Sequence, residues 1–282
     1  MPKSVFHIFE IDQFINFIRQ TTFQRKITFV QNHHTFKPDY ATFNAVPNRH
    51  MILLENMRTD HIQNRGWSDI GQNLTIFPDG KVGVCRSIDI KPAGIFGANT
   101  GGICIENLGD FDEGSDVMTV EQKESIIKSN AILCIKFGLK PVPHQVVYHH
   151  WYDTKGNRFS DTDINSGKVL RNKLQKTCPG TNFFTTQAAV QKGNTIQSAT
   201  ANFYPLIAAE MDVINNVPAL VLQPESKKVT ASKLNVRAGR GTGFPVIRQL
   251  FQGTQVLVFS TEGDWSRVSV NAEEWVSKQF LT

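Results

Sequence analysis

Two pairs of adjacent histidines and one cysteine in a polar loop are the side chains of this sequence best suited to chemistry. His33 and His34 end one apolar, strand-like run, and His149 and His150 end another. Cys178 lies in a Lys-Thr-Cys-Pro-Gly loop, where burial in a hydrophobic core is a poor explanation for a thiol. One imidazole from each pair and one thiolate would bind zinc and leave a fourth position open for water, as in hydrolytic sites. The pattern therefore indicates a catalytic zinc site.

Length, charge and cysteine usage narrow the class of protein. The chain has 282 residues, enough for two unequal domains, and a net charge of +5. Its basic residues are scattered and not interleaved with aromatic residues, which argues against nucleic acid as the partner. No run reaches the roughly 18 apolar residues of a membrane span. The other three cysteines are expected to be buried small hydrophobes, not disulfide partners; they are Cys85, Cys104 and Cys134.

Two different hydrophobic patterns divide the chain. Helical spacing over Glu10 to Gln20, Met51 to His61, Thr119 to Phe137 and Thr195 to Met211 alternates with strand-like runs, which predicts an α/β domain with a mixed central sheet flanked by helices. Thr119 and Gly138 are the expected ends of the longest helix, and Pro78-Asp79-Gly80 predicts a hairpin between strands 73–77 and 82–86. From Val229 onward only short β-like runs occur, separated by glycine and polar turns, which predicts a small all-β SH3-like barrel. The predicted organisation is a first domain over 1–212, a linker over 213–228 and a second domain over 229–282.

Four motifs in a fixed order, between about residue 10 and residue 185, carry a resemblance to a known family. They are Asn32-His33-His34-Thr35, the run from Arg65 to Leu74, Pro78-Asp79-Gly80-Lys81-Val82, and the Lys176-Thr177-Cys178-Pro179-Gly180 loop. Together they resemble the type 2 N-acetylmuramoyl-L-alanine amidases, the family shared with peptidoglycan recognition proteins and phage amidases. The resemblance implies peptidoglycan as the partner and Zn²⁺ as the cofactor.

The same resemblance implies roles for single residues. It assigns the metal ligands as His33, His149 and Cys178, with His149 favoured because the family's second histidine follows a short apolar strand. The residues alone leave the choice between His149 and His150 open, since neighbours on a strand face opposite sides. The residues expected to contact substrate are His34, His61, Trp67, Gln72 and His150; for His61, a place on a helix surface is the alternative.

Gln72 is a departure from the family pattern, because many members carry a catalytic tyrosine directly after Asp-Ile-Gly. An amide has no ionisable proton, so another group must transfer protons. Glu106 ends an apolar strand and resembles the catalytic glutamate of some amidases in this superfamily; the alternative is a salt-bridged glutamate at a strand end. Lys176 matches a functional lysine of the family, expected to stabilise the oxyanion, and its alternative is a solvated loop lysine.

The C-terminal segment resembles bacterial SH3 domains, which commonly tether wall hydrolases to peptidoglycan. The resemblance spans about Val229 to Leu281 and includes Leu234-Asn235-Val236-Arg237, Gly263-Asp264-Trp265 and Glu274-Trp275-Val276. It departs at Ala272-Glu273-Glu274, where a glycine is usual.

Together the two resemblances imply a peptidoglycan hydrolase that cleaves the amide between N-acetylmuramic acid and L-alanine. A non-catalytic recognition protein is one alternative, although such relatives typically lose the cysteine ligand that Cys178 matches. A delivered wall-degrading effector with the same chemistry is another. The N-terminus shows no secretory signal. We therefore expect a monomer made in the cytoplasm that reaches the wall after lysis or by export other than Sec.

Overall fold

The computed structural model describes residues 4–46, 49–167, 177–185, 192–216, 225–269 and 274–282. The chain divides into two compact units, residues 1–217 and 218–282, and each unit is described by itself. Within the described ranges no helix has the length and the apolar composition that crossing a membrane requires.

The first unit contains a mixed sheet of six strands. They are β1 (His7–Phe9), β2 (Phe29–His34), β3 (Leu74–Ile76), β4 (Val82–Val84), β5 (Gly102–Asn107) and β6 (Val146–Tyr148). Their spatial order is β1-β4-β3-β5-β2-β6. The pairs β3–β5, β5–β2 and β2–β6 are parallel, and β4 is antiparallel to both of its neighbours. This mixed sheet with its helices confirms the predicted α/β class.

Helices pack against this sheet through two hydrophobic clusters. The helices are α1 (Ile11–Gln20), α2 (Tyr40–Ala45), α3 (Arg49–Gln63), α4 (Val120–Phe137), α5 (Asp161–Asn165), α6 (Ile196–Ser198) and α7 (Tyr204–Asn216). The larger cluster joins α1, α4 and α7 to the sheet, and the smaller one contains buried residues of α2 and α3. On β5, Ile103 and Ile105 belong to the larger cluster, so Cys104 and Glu106 point to the opposite face.

The central helix α4 begins and ends where its sequence predicts. The Thr119 side chain accepts a hydrogen bond from the Gln122 backbone N–H, which satisfies one of the free donors of the first turn. Gly138 adopts a left-handed conformation at the C-terminus, with φ of 65°, that other residues rarely adopt. The hairpin predicted at Pro78-Asp79-Gly80 joins β3 and β4, whose paired parts are shorter than the predicted strands 73–77 and 82–86.

The helix predicted over Thr195 to Met211 is divided into three pieces. Between α6 and α7 lies a π-helical segment, Ala199–Phe203. Pro205 follows directly in the first turn of α7, and a proline lacks the N–H that a continuous α-helix needs there. Helix α7 ends at Asn216 and the next strand begins at Glu225, so both overlap the predicted linker 213–228. Residues 217–224 lie outside the described residues, and the linker stays a prediction.

The second unit is all-β, which confirms its predicted class. Its strands are β7 (Glu225–Lys228), β8 (Lys233–Arg237), β9 (Val246–Phe251), β10 (Gln255–Val258), β11 (Ser260–Glu262), β12 (Trp265–Arg267) and β13 (Trp275–Ser277). They form a two-stranded sheet, β10-β7, and a five-stranded sheet in the order β11-β12-β13-β8-β9. A small cluster that includes Val236 and Val276 forms its core. Most of the atypical turn at 272–274 lies outside the described residues.

Candidate metal centre

Three side chains from distant parts of the sequence meet at one end of the first unit. One potential ligand atom from each of His33, His149 and Cys178 lies within 4.8 Å of the other two. The rings of His33 and His149 have centroids 4.8 Å apart. His33 and Cys178 are 2% and 3% exposed, whereas His149 is half-buried. Two imidazoles and one thiol are the donor set that zinc takes in a three-ligand site, so these residues fit that metal.

The topology of the sheet explains why these groups meet. Strands β5, β2 and β6 are parallel neighbours, so their carboxyl ends lie at the same edge of the sheet. His33 lies at the end of β2, directly across from Glu106 of β5. His149 follows β6 in a single 3₁₀ turn. Cys178 lies in a loop, and its carbonyl oxygen accepts a hydrogen bond of 2.8 Å from the His150 backbone N–H.

The two histidines of each pair have different surroundings. His34 Nδ1 accepts a hydrogen bond of 3.1 Å from the Phe111 backbone N–H, and its ring lies at the cavity wall. The backbone N–H of His34 donates to Cys178 Sγ over 3.4 Å, an interaction that favours the thiolate form of the cysteine. His150 is 2% exposed and is not among the described residues that line the cavity. The cluster therefore groups His149, and not His150, with the other two candidate ligands.

A second set of potential ligand atoms shares one histidine with the first. His33, Cys104 and Glu106 also have one such atom each within 4.8 Å of one another. Cys104 is completely buried, burial raises the pKa of its thiol well above the ordinary value, and it does not line the cavity. A thiol that is hard to ionise is a poor zinc ligand, so the set with Cys178 is the better metal centre.

Glu106 is close to the candidate ligands and open to the cavity. Its Oε1 lies 3.9 Å from His33 Nδ1, and its side chain is 22% exposed. The carboxylate lines the cavity next to His33, so a molecule bound in the cavity can reach it. The position suits a general base or acid better than a buried structural ion pair.

Asp112 is a residue of this site that the sequence analysis missed. Its Oδ2 accepts a hydrogen bond of 2.7 Å from Thr177 Oγ1, and its Oδ1 accepts one of 2.9 Å from the Thr181 backbone N–H. Thr177 and Thr181 flank Cys178, so one carboxylate holds both sides of the loop that carries the thiol. The acidic run at 110–116 was the available signal, but nothing local indicates which loop it would hold.

The cluster lies in a cavity of about 780 Å³ with polar and aromatic walls. Four of the five residues predicted to contact substrate line it: His34, His61, Trp67 and Gln72. The ring centroids of His61 and Trp67 are 4.7 Å apart. His61 Nδ1 accepts from the Gly71 backbone N–H, and burial, helped by the charge of Arg65, lowers the pKa of His61 to about 4. His61 is therefore a neutral acceptor that supports the wall.

Gln72 brings an unused acceptor to the same cavity. Its side chain is 1% exposed, and its Nε2 donates to Thr75 Oγ1 over 3.0 Å. Its Oε1 is buried and has no hydrogen-bond partner among the described residues. A buried acceptor without a partner is unfavourable, so a donor on a bound molecule would improve its environment. Lys176, which the resemblance assigns to stabilising the oxyanion, lies outside the described residues.

Comparisons with known proteins agree with the motifs. The family model described as N-acetylmuramoyl-L-alanine amidase matches residues 23–181, and the bacterial SH3 domain model matches residues 232–282. No curated protein sequence matches this chain.

Similar solved structures include peptidoglycan recognition proteins and an endolysin. Drosophila PGRP-LB is 20% identical, with 57% of this chain and 79% of that chain covered and a TM-score of 0.42. The endolysin N-acetylmuramoyl-L-alanine amidase LysCS from Clostridium intestinale is 22% identical, with 56% and 78% covered and a TM-score of 0.37. Bumblebee PGRP-SA is 18% identical, with 62% and 90% covered and a TM-score of 0.41.

Proposed function

This chain belongs to the N-acetylmuramoyl-L-alanine amidase family, and from this membership we propose that it is a zinc-dependent hydrolase of peptidoglycan. Its bond would be the amide between N-acetylmuramic acid and the L-alanine of the stem peptide. The observation that carries the proposal is the cluster of His33, His149 and Cys178 within 4.8 Å, inside a cavity that Glu106 also lines. A purely structural zinc site would close the coordination sphere with a fourth protein ligand.

In this proposal His33, His149 and Cys178 hold the metal. Zinc at that position would act as a Lewis acid toward the scissile carbonyl and would make water easier to deprotonate. The His34 backbone N–H donates to the Cys178 sulfur over 3.4 Å and helps to orient it. Asp112 keeps the loop in place by its hydrogen bonds to Thr177 and Thr181.

Proton transfer is assigned to Glu106, because Gln72 cannot ionise. The Glu106 carboxylate takes a proton from the attacking water and then returns it to the nitrogen of the departing L-alanine, which breaks the amide bond. Gln72 lines the cavity and is proposed to contact the substrate. Lys176 is proposed to stabilise the developing oxyanion.

The test is digestion of purified peptidoglycan by the zinc-loaded chain, with and without a chelator, followed by mass analysis. We expect free stem peptides that begin with L-alanine, intact glycan strands, and no products in the presence of chelator. Cys178→Ala should lose both zinc and activity. The matched control Cys134→Ala, a buried cysteine of α4 that does not line the cavity, should keep both. Cleavage that survives the chelator, or a Cys178→Ala protein that keeps its zinc, would contradict the proposal.

A recognition protein without catalysis is the second candidate, and the observation that favours it is Gln72 in place of a tyrosine. Firm binding of the chain to peptidoglycan with no products at any zinc concentration would establish it. The SH3-like unit is proposed to hold either protein on the wall, where tethering raises the local concentration of substrate. A protein delivered as a wall-degrading effector would share this chemistry, so the peptidoglycan digestion would give the same products.

A further inference from the structure

Gln31 is a buried polar residue on the strand that carries His33. It is 0% exposed, and it lies two residues before His33, so both side chains point to the same face of β2. A fully buried strand position usually holds a β-branched or aromatic residue, because an amide there needs partners for its donors and acceptor. The partners of Gln31 therefore show what the side chain does.

The hydrogen bonds of Gln31 fix which end of its amide faces the histidine. Its Nε2 donates to the Ala98 carbonyl oxygen over 3.0 Å, and an oxygen could not take that place. Its Oε1 then lies 3.3 Å from His33 Nε2. A side-chain amide oxygen can only accept, so His33 Nε2 must carry the proton in this contact. In a neutral His33 the unprotonated nitrogen is then Nδ1, which lies on the side of Glu106.

Two glycines leave the space that this amide occupies. A Cβ added to Gly94 would collide with Gln31 Oε1 and would lie 2.8 Å from Cys104 Sγ and 3.1 Å from His33 Nε2. A Cβ added to Gly102 would lie 2.6 Å from Gln31 Nε2. Contacts shorter than 3 Å are not found for real Cβ atoms, so both ends of the amide need a glycine beside them. The Nε2 edge of His33 thus faces closely packed protein.

We propose that Gln31 is a positioning residue that holds His33 in the Nε2–H tautomer and so presents Nδ1 as the zinc ligand atom. This inference rests on the proposed function, because it concerns the same metal centre. Residues that accept the second N–H of a metal-binding histidine orient the ring and raise its basicity, and their loss typically weakens metal binding by about 10–100-fold. Gln31 acts only through His33 and does not touch the substrate.

The test uses the full chain and measures tautomer and zinc affinity separately from activity. In the zinc-free protein, two-bond ¹⁵N–¹H spectra of labelled histidine should show His33 with its proton on Nε2. Gln31→Met keeps the length of the side chain and removes the acceptor. We expect it to lose this tautomer preference and to raise the zinc dissociation constant by about 10–100-fold, measured by competition with a chelating dye.

Gln122→Met is the matched control, because Gln122 is also a 0% exposed glutamine with two backbone carbonyl partners and does not line the cavity. It should lower stability and leave the zinc affinity unchanged. If Gln31→Met does not fold, Gly94→Ala should displace the amide and reproduce the loss of zinc affinity.

A wild-type His33 protonated on Nδ1, or a folded Gln31→Met protein with unchanged tautomer and unchanged zinc affinity, would overturn the inference. A protein with the expected tautomer and zinc affinity that cuts no peptidoglycan would instead contradict the proposed function alone.

Discussion

Replacing Asp112 with alanine should loosen the loop that carries Cys178 without touching a candidate ligand. The change removes the acceptor for Thr177 Oγ1 at 2.7 Å and for the Thr181 backbone N–H at 2.9 Å. A hydrogen bond to a charged group contributes about 1.5–3 kcal/mol when it is shielded from water. Asp112 is partly exposed, so we take the lower end of that range, about 2–3 kcal/mol for both bonds together.

This loss should appear in zinc binding, because the variant would have to order the loop again when the metal binds. A difference of about 1.4 kcal/mol corresponds to a factor of ten in a dissociation constant. If about 2 kcal/mol of the loss is recovered on binding, the zinc dissociation constant should rise by about 30-fold. The assay is competition of zinc between the protein and a chelating dye, together with denaturant unfolding of the zinc-free protein.

Asp153→Ala is the matched control for this experiment. Asp153 Oδ1 also accepts two hydrogen bonds, of 2.8 Å each, from the Lys155 and Asn157 backbone N–H groups, but it does not line the cavity. It should lower stability by less, because its hydrogen bonds are exposed to solvent, and leave the zinc affinity unchanged. An Asp112→Ala protein that binds zinc as tightly as the wild type would refute the reasoning that this carboxylate preorganises the loop.

Three further outcomes are expected. Glu106→Gln should keep the zinc content and lower the rate of peptidoglycan cleavage by about 10²–10⁴-fold, the usual contribution of a general base, and an unchanged rate would remove Glu106 from the mechanism. The pKa of His61 is lowered to about 4, so its contribution to stability is present above about pH 6.5 and is lost as the pH falls toward 4. About 1–2 kcal/mol of unfolding free energy should disappear in that window, with allowance for partial exposure, and His61→Gln should flatten the curve. Thr119→Ala should lower the unfolding free energy by about 1 kcal/mol through loss of the cap of α4, measured by denaturant titration.

Local signals in the sequence were enough for the elements that position the site. The cap at Thr119 and the glycine at 138 predict α4, and the Pro78-Asp79-Gly80 turn predicts the hairpin, because each signal acts on the backbone within a few residues. The two histidine pairs and the isolated loop cysteine indicated which parts of the chain form the candidate site. The choice of His33, His149 and Cys178 among them came from the family resemblance, and it stays a prediction. The order of the strands could not be read this way, since β2 lies between β5 and β6 although β3 and β4 follow it in the sequence.

The residues that support the candidate ligands were not predicted, and the reason is physical. Asp112 acts through contacts with residues that lie 65 or more positions away in the sequence. Gln31 acts on His33, two residues further on, but the contact that orients its amide comes from Ala98, 67 positions away. A glutamine in a strand and an aspartate in an acidic loop have many ordinary explanations until these partners are known. The interruption before α7 had a local signal in Pro205, which the helical spacing of the surrounding apolar residues outweighed in the prediction.

The residue types of β2 suit the candidate metal centre better than a hydrophobic core. Its last four residues are polar and buried, an arrangement that is unfavourable unless every polar group has a partner. On the face toward α4, Asn32 exchanges two hydrogen bonds with Asn130, of 2.9 and 3.1 Å. On the other face Gln31 contacts His33. The His33 carbonyl oxygen accepts a hydrogen bond from Asn107 Nδ2 of β5 over 2.7 Å. Because these partners come from β5, α4 and the loop at Ala98, the rigidity of the candidate metal centre depends on the whole first unit being folded.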